Sequence, residues 1–321
     1  MRVTLGFDTS CYTTSAAAVN EHGEVVAASR MLLPVKQGER GLRQSEAVFA
    51  HVRQMPLVMD GLKEQLNAKQ AEIVAVCASA SPRDEEESYM PVFMVGLGHA
   101  RVLADALGVP LYQTSHQQGH VAAGLIGHKQ PEDAFVALHL SGGTTELLAC
   151  ENGRLTLLGG CADLHAGQVV DRIGVAMGLP FPAGPHLEKL AMSYEGTIES
   201  LLPVSMEKDG LTCHLSGVET RAQQWIKEGK LSHDKIAAEV FDVLARTVAR
   251  LLMGACQKAG ASKALVVGGV ASSTLLREML RRRLAKQRVR IEVMFGQPQF
   301  SADNAAGVAA IGMKNYLEHL G

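Results

Sequence analysis

A chain of 321 residues, 47% apolar and 20% charged, is long enough for two domains with a sizeable core and has the composition of an ordinary soluble globular protein. Its formal net charge of −2 excludes a polycationic nucleic-acid binder, so any RNA or DNA contact must use a local patch or a partner subunit. Six scattered cysteines without CxxC spacing exclude a disulfide framework or zinc ribbon and fit reduced thiols in the cytoplasm; with no basic leader or long apolar segment, neither export nor membrane insertion is expected.

In chain order, residues 3–7 are apolar, 8–15 form a polar turn (Asp-Thr-Ser-Cys-Tyr-Thr-Thr-Ser), and 16–19 are apolar again. Glu21-His22-Gly23 then predicts a hairpin into 24–28. Val48, Val52, Met55, Val58, Met59 and Leu62 recur at helical spacing, so 44–66 is an amphipathic helix. A buried strand at 73–79, an acidic loop at 81–88, a helix at 94–107 and a short strand at 109–113 lead to His116. A polar connector, 125–133, joins the second half. That half repeats the opening grammar: apolar 134–140, the turn Ser141-Gly142-Gly143-Thr144-Thr145, an apolar run, and Glu151-Asn152-Gly153. A strand at 155–158, a helix at 166–177 and a punctuated loop at 178–185 follow. The longest helix is 236–256, then come strand 264–267, helix 273–284, strand 288–294 and helix 303–320. Strand meanders followed by alternating helices and strands indicate an α/β protein with mixed sheets sandwiched by helices.

Repetition at so long an interval points to duplicated domains, not a solenoid. Thr13-Thr14 and Thr144-Thr145 occupy equivalent places, and two such hydroxyl-rich turns could grip a nucleotide's phosphates from two sides. Adjacent glycines at 142 and 143 are expected to adopt positive φ and aim their N–H groups one way, as an anion cradle does. The densest basic stretch, 277–290 with Arg281-Arg282-Arg283, is expected to be a solvated helix face.

His116-Gln117-Gln118-Gly119-His120 sets two imidazoles four residues apart; on a helix both face one side, a geometry for chelating a divalent metal. No glutamate stands where a zincin's general base would. Asp303 could supply a carboxylate ligand or simply cap the last helix. Val266-Val267-Gly268-Gly269 followed by Ser273 is strand, double glycine, helix start, permitting close approach of a ring or phosphate. Asp171 lies inside a helix beside Gly167.

Together these pieces resemble the TsaD family, the ATP-fold proteins of tRNA threonylcarbamoyladenosine synthesis, long catalogued as glycoproteases or O-sialoglycoprotein endopeptidases. The likeness spans nearly the whole chain: Asp8-Thr9-Ser10-Cys11, His116-x-x-Gly119-His120, Ser141-Gly142-Gly143-x-Thr145, Ala166-Gly167-Gln168-x-x-Asp171-Arg172, Gly184-Pro185-x-x-Glu188-Lys189-Leu190-Ala191, Leu215-Ser216-Gly217-Val218-Glu219-Thr220, Gly268-Gly269-Val270-Ala271 and Asp303-Asn304-Ala305-Ala306 follow in order. It implies the actin/Hsp70/sugar-kinase (ASKHA) fold, two duplicated RNase H-like domains around a nucleotide cleft. One domain would be 1–115, completed by 303–321, and the other 116–302. The resemblance further implies one divalent metal, iron or zinc, on His116, His120 and Asp303. ATP or threonylcarbamoyl-adenylate would contact Asp8, Thr9, Ser10, Ser141, Gly142, Gly143, Thr144, Thr145, Gly167, Asp171, Gly184, Glu188, Gly268, Gly269 and Ser273. Its implied partners are tRNA and the proteins of the same pathway, with a dimer also open to it.

Departures from the family pattern mark a divergent paralogue. Two acidic residues, candidate catalytic carboxylates, are here Tyr12 and Thr13, which removes the obvious general base for an adenine amine. A Gly-Pro-Gly loop is replaced by 81–88, a glutamate becomes Gln117 or Gln118, another becomes Gln168, a histidine becomes Thr144, a lysine Glu219 and an asparagine Ser273. Three functions compete on this pattern: threonylcarbamoyl transfer to tRNA, nucleotide and metal binding without that transfer, and, as a minor reading, metalloproteolysis.

Overall fold

Strict alternation in the first strand sets the architecture of the N-terminal unit. In β1 (Arg2–Thr9) the side chains of Val3, Leu5 and Phe7 join one buried apolar cluster with Met55, Val58, Leu62, Ala100 and Ala104. The intervening Thr4 and Gly6 face the opposite side, as a two-residue period demands. The first cluster is supplied by α1 (Gln44–Ala68) and α2 (Phe93–Leu107), the second face by α9 (Ala305–Leu320). A Cβ on Gly6 would collide with Ala305 O and Ala309 N, so only glycine lets α9 lie this close to β1. The computed structural model describes residues 1–10, 12–34, 42–85, 88–129, 131, 134–287, 290–300 and 304–321.

β2 (Thr13–Asn20) and β3 (Val25–Leu32) extend the sheet antiparallel from β1, and β4 (Glu72–Ser81) and β5 (Leu111–Ser115) extend it parallel on the other side, in the order β3-β2-β1-β4-β5. α3 (His116–Leu125) follows β5 directly. The second unit begins with the same meander: β6 (Phe135–Leu140), β7 (Thr145–Glu151) and β8 (Arg154–Cys161) are antiparallel, and β11 (Lys263–Val267) and β12 (Glu292–Phe295) continue parallel from β6. The expected duplication is therefore present strand for strand. The hairpin glycines Gly23 and Gly153 have matching φ of 76° and 77°. In register, Thr9 pairs with Thr14 as Leu140 pairs with Thr145.

The second unit packs α4 (Ala166–Ala176), α5 (Gly184–Met192), α6 (Ser216–Glu228), α7 (His233–Ala259) and α8 (Thr274–Leu284) around its own core, with α7 buried on almost every face between Ile236 and Cys256. Two short strands, β9 (Ser205–Met206) and β10 (Thr212–His214), lengthen the sheet beyond β8. Among the described residues no helix is long and apolar enough to cross a membrane.

Several boundaries differ from expectation. The strand expected at 109–113 is Leu111–Ser115, and α5 starts inside the expected 178–185 loop, where Pro185 occupies a first-turn position that needs no N–H. α9 starts at Ala305, and the strand expected at 288–294 is Glu292–Phe295. The chain divides into Met1–Lys129 with Gln299–Gly321, and Gln130–Pro298. α3 thus falls in the first unit, not after a boundary at 115, because it packs on α9: a Cβ on Gly307 would collide with Gly119 O and Ala123 N.

Two glycine substitutions are expected to move stability in opposite directions. Gly6→Ala should lower the unfolding free energy by about 1–3 kcal/mol through overpacking against α9. Gly98→Ala, exposed within α2 with open space around it, should raise it by up to ~1 kcal/mol through helix propensity. Denaturant midpoints of the two variants check both signs.

Candidate functional site

β1 carries Asp8 into the interior, where its side chain is 2% exposed. Three donors converge on its Oδ1: the Ser79 hydroxyl from β4 at 2.5 Å, His116 Nδ1 from the start of α3 at 2.9 Å, and Asn304 Nδ2 from the N-cap of α9 at 3.4 Å. Burial by itself would raise the pKa of this carboxyl. The charge and hydrogen bond of His116, with the bonds from Ser79 and Asn304, outweigh that and hold it below the ordinary 3.8. A carboxylate only accepts, so His116 Nδ1 carries the proton, and Asn304 Nδ2, also 2.9 Å from that nitrogen, directs its protons to Asp8 and to His116 O at 2.8 Å.

With the proton on Nδ1, Nε2 is the ring nitrogen of His116 that can offer a lone pair to a ligand. His120 lies one helical turn on, and its Nε2 is 3.1 Å from His116 Nε2, with the rings edge to face. Two imidazole nitrogens held by one tetrahedral ion lie about 3.3 Å apart. The pair therefore fits two ligands of a single metal. Among the described residues, Asn304 Oδ1 is buried without a hydrogen-bond partner. Asp303, the expected carboxylate ligand, lies outside the described residues, and among those described no group of three His, Cys, Asp or Glu could hold an ion. Paired imidazole nitrogens are ligands that suit iron or zinc.

Local sequence explains the rest of this arrangement. Ser115 Oγ accepts from Gln118 N at 3.2 Å while Gln118 Oε1 accepts from Ser115 N at 2.9 Å, a reciprocal cap at the start of α3. Glutamine serves here as well as glutamate. Gly119 has a packing reason: a Cβ would sit 2.5 Å from Asn304 Nδ2. Thr9 is turned inward, donating to Val92 O at 2.8 Å and accepting from Gly96 N at 3.0 Å, so it secures α2. Ser10 O accepts from Nε2 of the fully buried His51 at 2.8 Å. Burial lowers the His51 pKa, and Thr14 Oγ1 stands 2.8 Å from its other nitrogen. Tyr12 is 52% exposed, and Thr13 opens β2.

In the second unit, Ser141 N donates to Thr144 O at 2.8 Å and closes the turn. The expected positive φ at Gly142 and Gly143 is absent, and a Cβ on either would meet open space. Close approach instead requires Gly167, whose Cβ would lie 2.6 Å from Gly142 N, and Gly268, whose φ is 101° and whose Cβ would collide with Leu140 O. Thr145 Oγ1 accepts from Ala166 N at 2.9 Å, and Gly167 N donates to Ser141 O at 3.1 Å, so α4 starts against this turn. Gly142 and Gly143 are left exposed.

The remaining sequence-predicted residues hold helices. Asp171 Oδ1 accepts from Ala183 N at 2.8 Å, just before Gly184 opens α5. Glu188 Oε1 accepts from Thr274 Oγ1 and Leu275 N at 2.8 and 2.9 Å, and Ser273 Oγ accepts from Leu276 N at 3.1 Å; the two oxygens together cap α8. Gly269 precedes a single 3-10 turn, Val270–Ser272, with open space where a Cβ would be.

Sequence reasoning missed Asp163, which accepts from Leu215 N at 2.8 Å and from Ser216 N and Oγ at 3.2 and 2.5 Å, hooking the start of α6. Nothing local to Asp163 announces partners more than fifty positions away. The basic stretch is the expected solvated face only in part: Arg281, Arg282 and Lys286 are exposed, but other members make contacts within the fold. Arg277 donates to Ala271 O and Gly296 O, both at 2.6 Å, Arg277 and Arg281 lie over the Phe295 ring, and Arg283 and Arg246 flank the buried Asp242.

A family model described as TsaD, tRNA N6-adenosine threonylcarbamoyltransferase, matches residues 32–310. A tRNA N6-adenosine threonylcarbamoyltransferase from Clostridium perfringens is 30% identical over 328 aligned positions, covering 99% of this chain and 93% of that protein. Among solved structures, the (R)-2-hydroxyglutaryl-CoA dehydratase component A of Acidaminococcus fermentans aligns with a TM-score of 0.55 at 16% identity, over 99% of this chain and 100% of that one. HypF of T. kodakarensis aligns at 0.63 and 15% identity, over 99% of this chain and 48% of that one. These two similarities, with the two mixed sheets, establish the ASKHA fold.

Asp8→Asn is expected to cost about 1–3 kcal/mol of stability at neutral pH. Because the folded-state pKa lies below 3.8, the carboxylate's contribution is fully present above 3.8 and is lost as pH falls through the folded value. The difference between wild type and variant, followed by denaturation at several pH values, should shrink as the pH falls below about 4.

Proposed function

The chain belongs to the TsaD family of tRNA N6-adenosine threonylcarbamoyltransferases, and from that membership we propose that it transfers a threonylcarbamoyl group from its adenylate to an adenosine amine of tRNA. The observation that carries this reading is the convergence of His116 Nε2 and His120 Nε2 to 3.1 Å, with His116 fixed by the buried Asp8. His116 and His120 would hold a divalent metal together with Asp303. When bound, that ion supplies Lewis-acid charge and a template for phosphate and carbamate oxygens.

The protein's own part is orientation. The amine nitrogen attacks the carbamoyl carbon, the bond to the adenylate oxygen breaks, AMP leaves, and the amine gives up one proton. A mixed anhydride is activated enough that positioning and charge stabilisation suffice without a side-chain nucleophile. The exposed turn at Ser141, Gly142, Gly143 and Thr144 is the proposed phosphate contact. It is held by Thr145 and Gly167 from beneath, while Asp8, Thr9, Asp171, Glu188, Gly268 and Ser273 act as positioning residues. Gly184 and Gly269 lie at the adjoining helix and turn starts, and Ser10 at the end of β1.

Tyr12 and Thr13 favour a second reading, a nucleotide- and metal-binding paralogue with another acceptor or a non-catalytic place beside a partner protein. Neither side chain can serve as the carboxylate base that the family pattern puts there. Metalloproteolysis is disfavoured, because Gln118 is spent on the α3 cap and Gln117 is no base.

The purified chain, supplied with the pathway's partner proteins, threonylcarbamoyl-adenylate and unmodified tRNA, should yield the modified nucleoside by mass spectrometry. His120→Ala should remain folded, lose bound metal by elemental analysis, and form product at least about 100-fold more slowly. Adenylate binding without product in wild type would establish the second reading instead.

A further inference from the structure

β8 and β10 run parallel, and Cys161 at the end of one lies directly opposite Cys213 in the other. Strand neighbours in register are about 4.8 Å apart and project their side chains from the same face. That separation falls inside the Cα window of roughly 4.4–6.8 Å in which a disulfide closes without moving the backbone. Cys161 and Cys213 thus face each other across one rung of the ladder. Cys161 is half-buried, and its sulfur also lies 3.0 Å from Leu164 O and 3.3 Å from Asp163 Oδ1; Cys213 is buried behind it. The charged and titratable groups around the pair are Asp163, His214, 3.8 Å from Asp163, and Glu207, 2.8 Å from His214. This arrangement divides the work between the two sulfurs. Proximity of the Cys213 thiol, with backbone contacts at Asp163 and Leu164, lowers Cys161 to about 7 against burial and the Asp163 carboxylate, while the same proximity and burial push Cys213 well up. Burial raises Cys77 and Cys150 to about 12, against backbone hydrogen bonds, and Cys256 to about 11.

We propose that Cys161 and Cys213 form a redox-active dithiol whose co-substrate is a hydroperoxide, with Cys161 as the attacking sulfur and Cys213 as the resolving one. The Cys161 thiolate attacks one oxygen of hydrogen peroxide, the O–O bond breaks, and the departing hydroxide is protonated to water, leaving a sulfenic acid. Cys213 sulfur then attacks Cys161 sulfur; the S–O bond breaks, and the hydroxide leaves with the Cys213 proton as a second water. Two thiols are oxidised to one disulfide and one peroxide is reduced to two waters. The bond joins β8, which runs on toward α4 and the Ser141 turn, to β10, which runs on into α6. It depends on no particular reading of the transfer chemistry.

The test is peroxide treatment of the full-length chain, then intact mass and non-reducing peptide mapping. The expected result is loss of two hydrogens, one cross-linked peptide pair containing Cys161 and Cys213, and full reversal by dithiothreitol. Cys213→Ser should leave a trappable sulfenic acid at Cys161 and no cross-link; Cys161→Ser should give neither. At pH 7, Cys161 should also react with iodoacetamide at least about 10-fold faster than Cys77, Cys150 or Cys256. The proposal is overturned if wild-type Cys161 and Cys213 stay reduced, if Cys161 proceeds to sulfinic acid uncrosslinked, or if the disulfide joins another pair. Should either serine variant fail to fold, the wild-type map alone decides.

Discussion

A single buried anion organises the N-terminal unit. An isolated carboxylate removed from water is costly, and the cost is met only when charge and hydrogen bonds are supplied around it. Asp8 receives them from three separate segments: Ser79 on β4, His116 on α3 and Asn304 at the start of α9. Losing any one leaves the others holding a poorly compensated charge, so the carboxylate fixes where both helices begin relative to the sheet. It also fixes the proton on His116 Nδ1 and thereby the nitrogen that faces His120. An outer-shell carboxylate behind a metal-ligating imidazole works in this way, orienting the ring and raising its basicity.

The same economy recurs at each turn of the repeated meander. Thr9, Thr14 and Thr145 lie where hydroxyls could meet a ligand, yet each is buried and bonded to the helix or loop behind it. Glu188 with Ser273, and Asp163 with Ser216, satisfy helix N-termini that would otherwise offer free N–H groups. Polar residues in the shared motifs thus mostly build the scaffold, while Gly142 and Gly143 are exposed in one unit and the paired imidazoles are partly buried in the other. Substitutions such as Gln118 and Ser273 keep these scaffold bonds intact, which is how the fold survives departures from the family pattern.

Much of this was legible from the chain. Alternating apolar strands and the Gly23 and Gly153 hairpins revealed the duplicated meanders, because a period of two and a left-handed glycine are local signals. The long apolar periodicity of α1 and α7 was equally plain. β9 and β10 were invisible, since two or three residues carry no period, and α6 buries only Val218 and Ala222, too little to mark a helical stripe. The glycine pair at 142–143 misled for a related reason: glycine can mean strain, close approach or mere exposure, and only the neighbours decide which. Asp163 and His51 were hidden because their partners lie far along the chain, and Arg277 and Arg283 read as solvent-facing because Gly296 and Asp242 come from other elements.

The most direct measurement is anomalous diffraction from crystals loaded with one equivalent of zinc or iron. A single peak within about 2.0–2.2 Å of both His116 Nε2 and His120 Nε2 is the expected result, with the Asp8 carboxylate still on His116 Nδ1. A fully loaded protein whose only peaks lie elsewhere, or a metal bound to one imidazole with the other turned away, would contradict it.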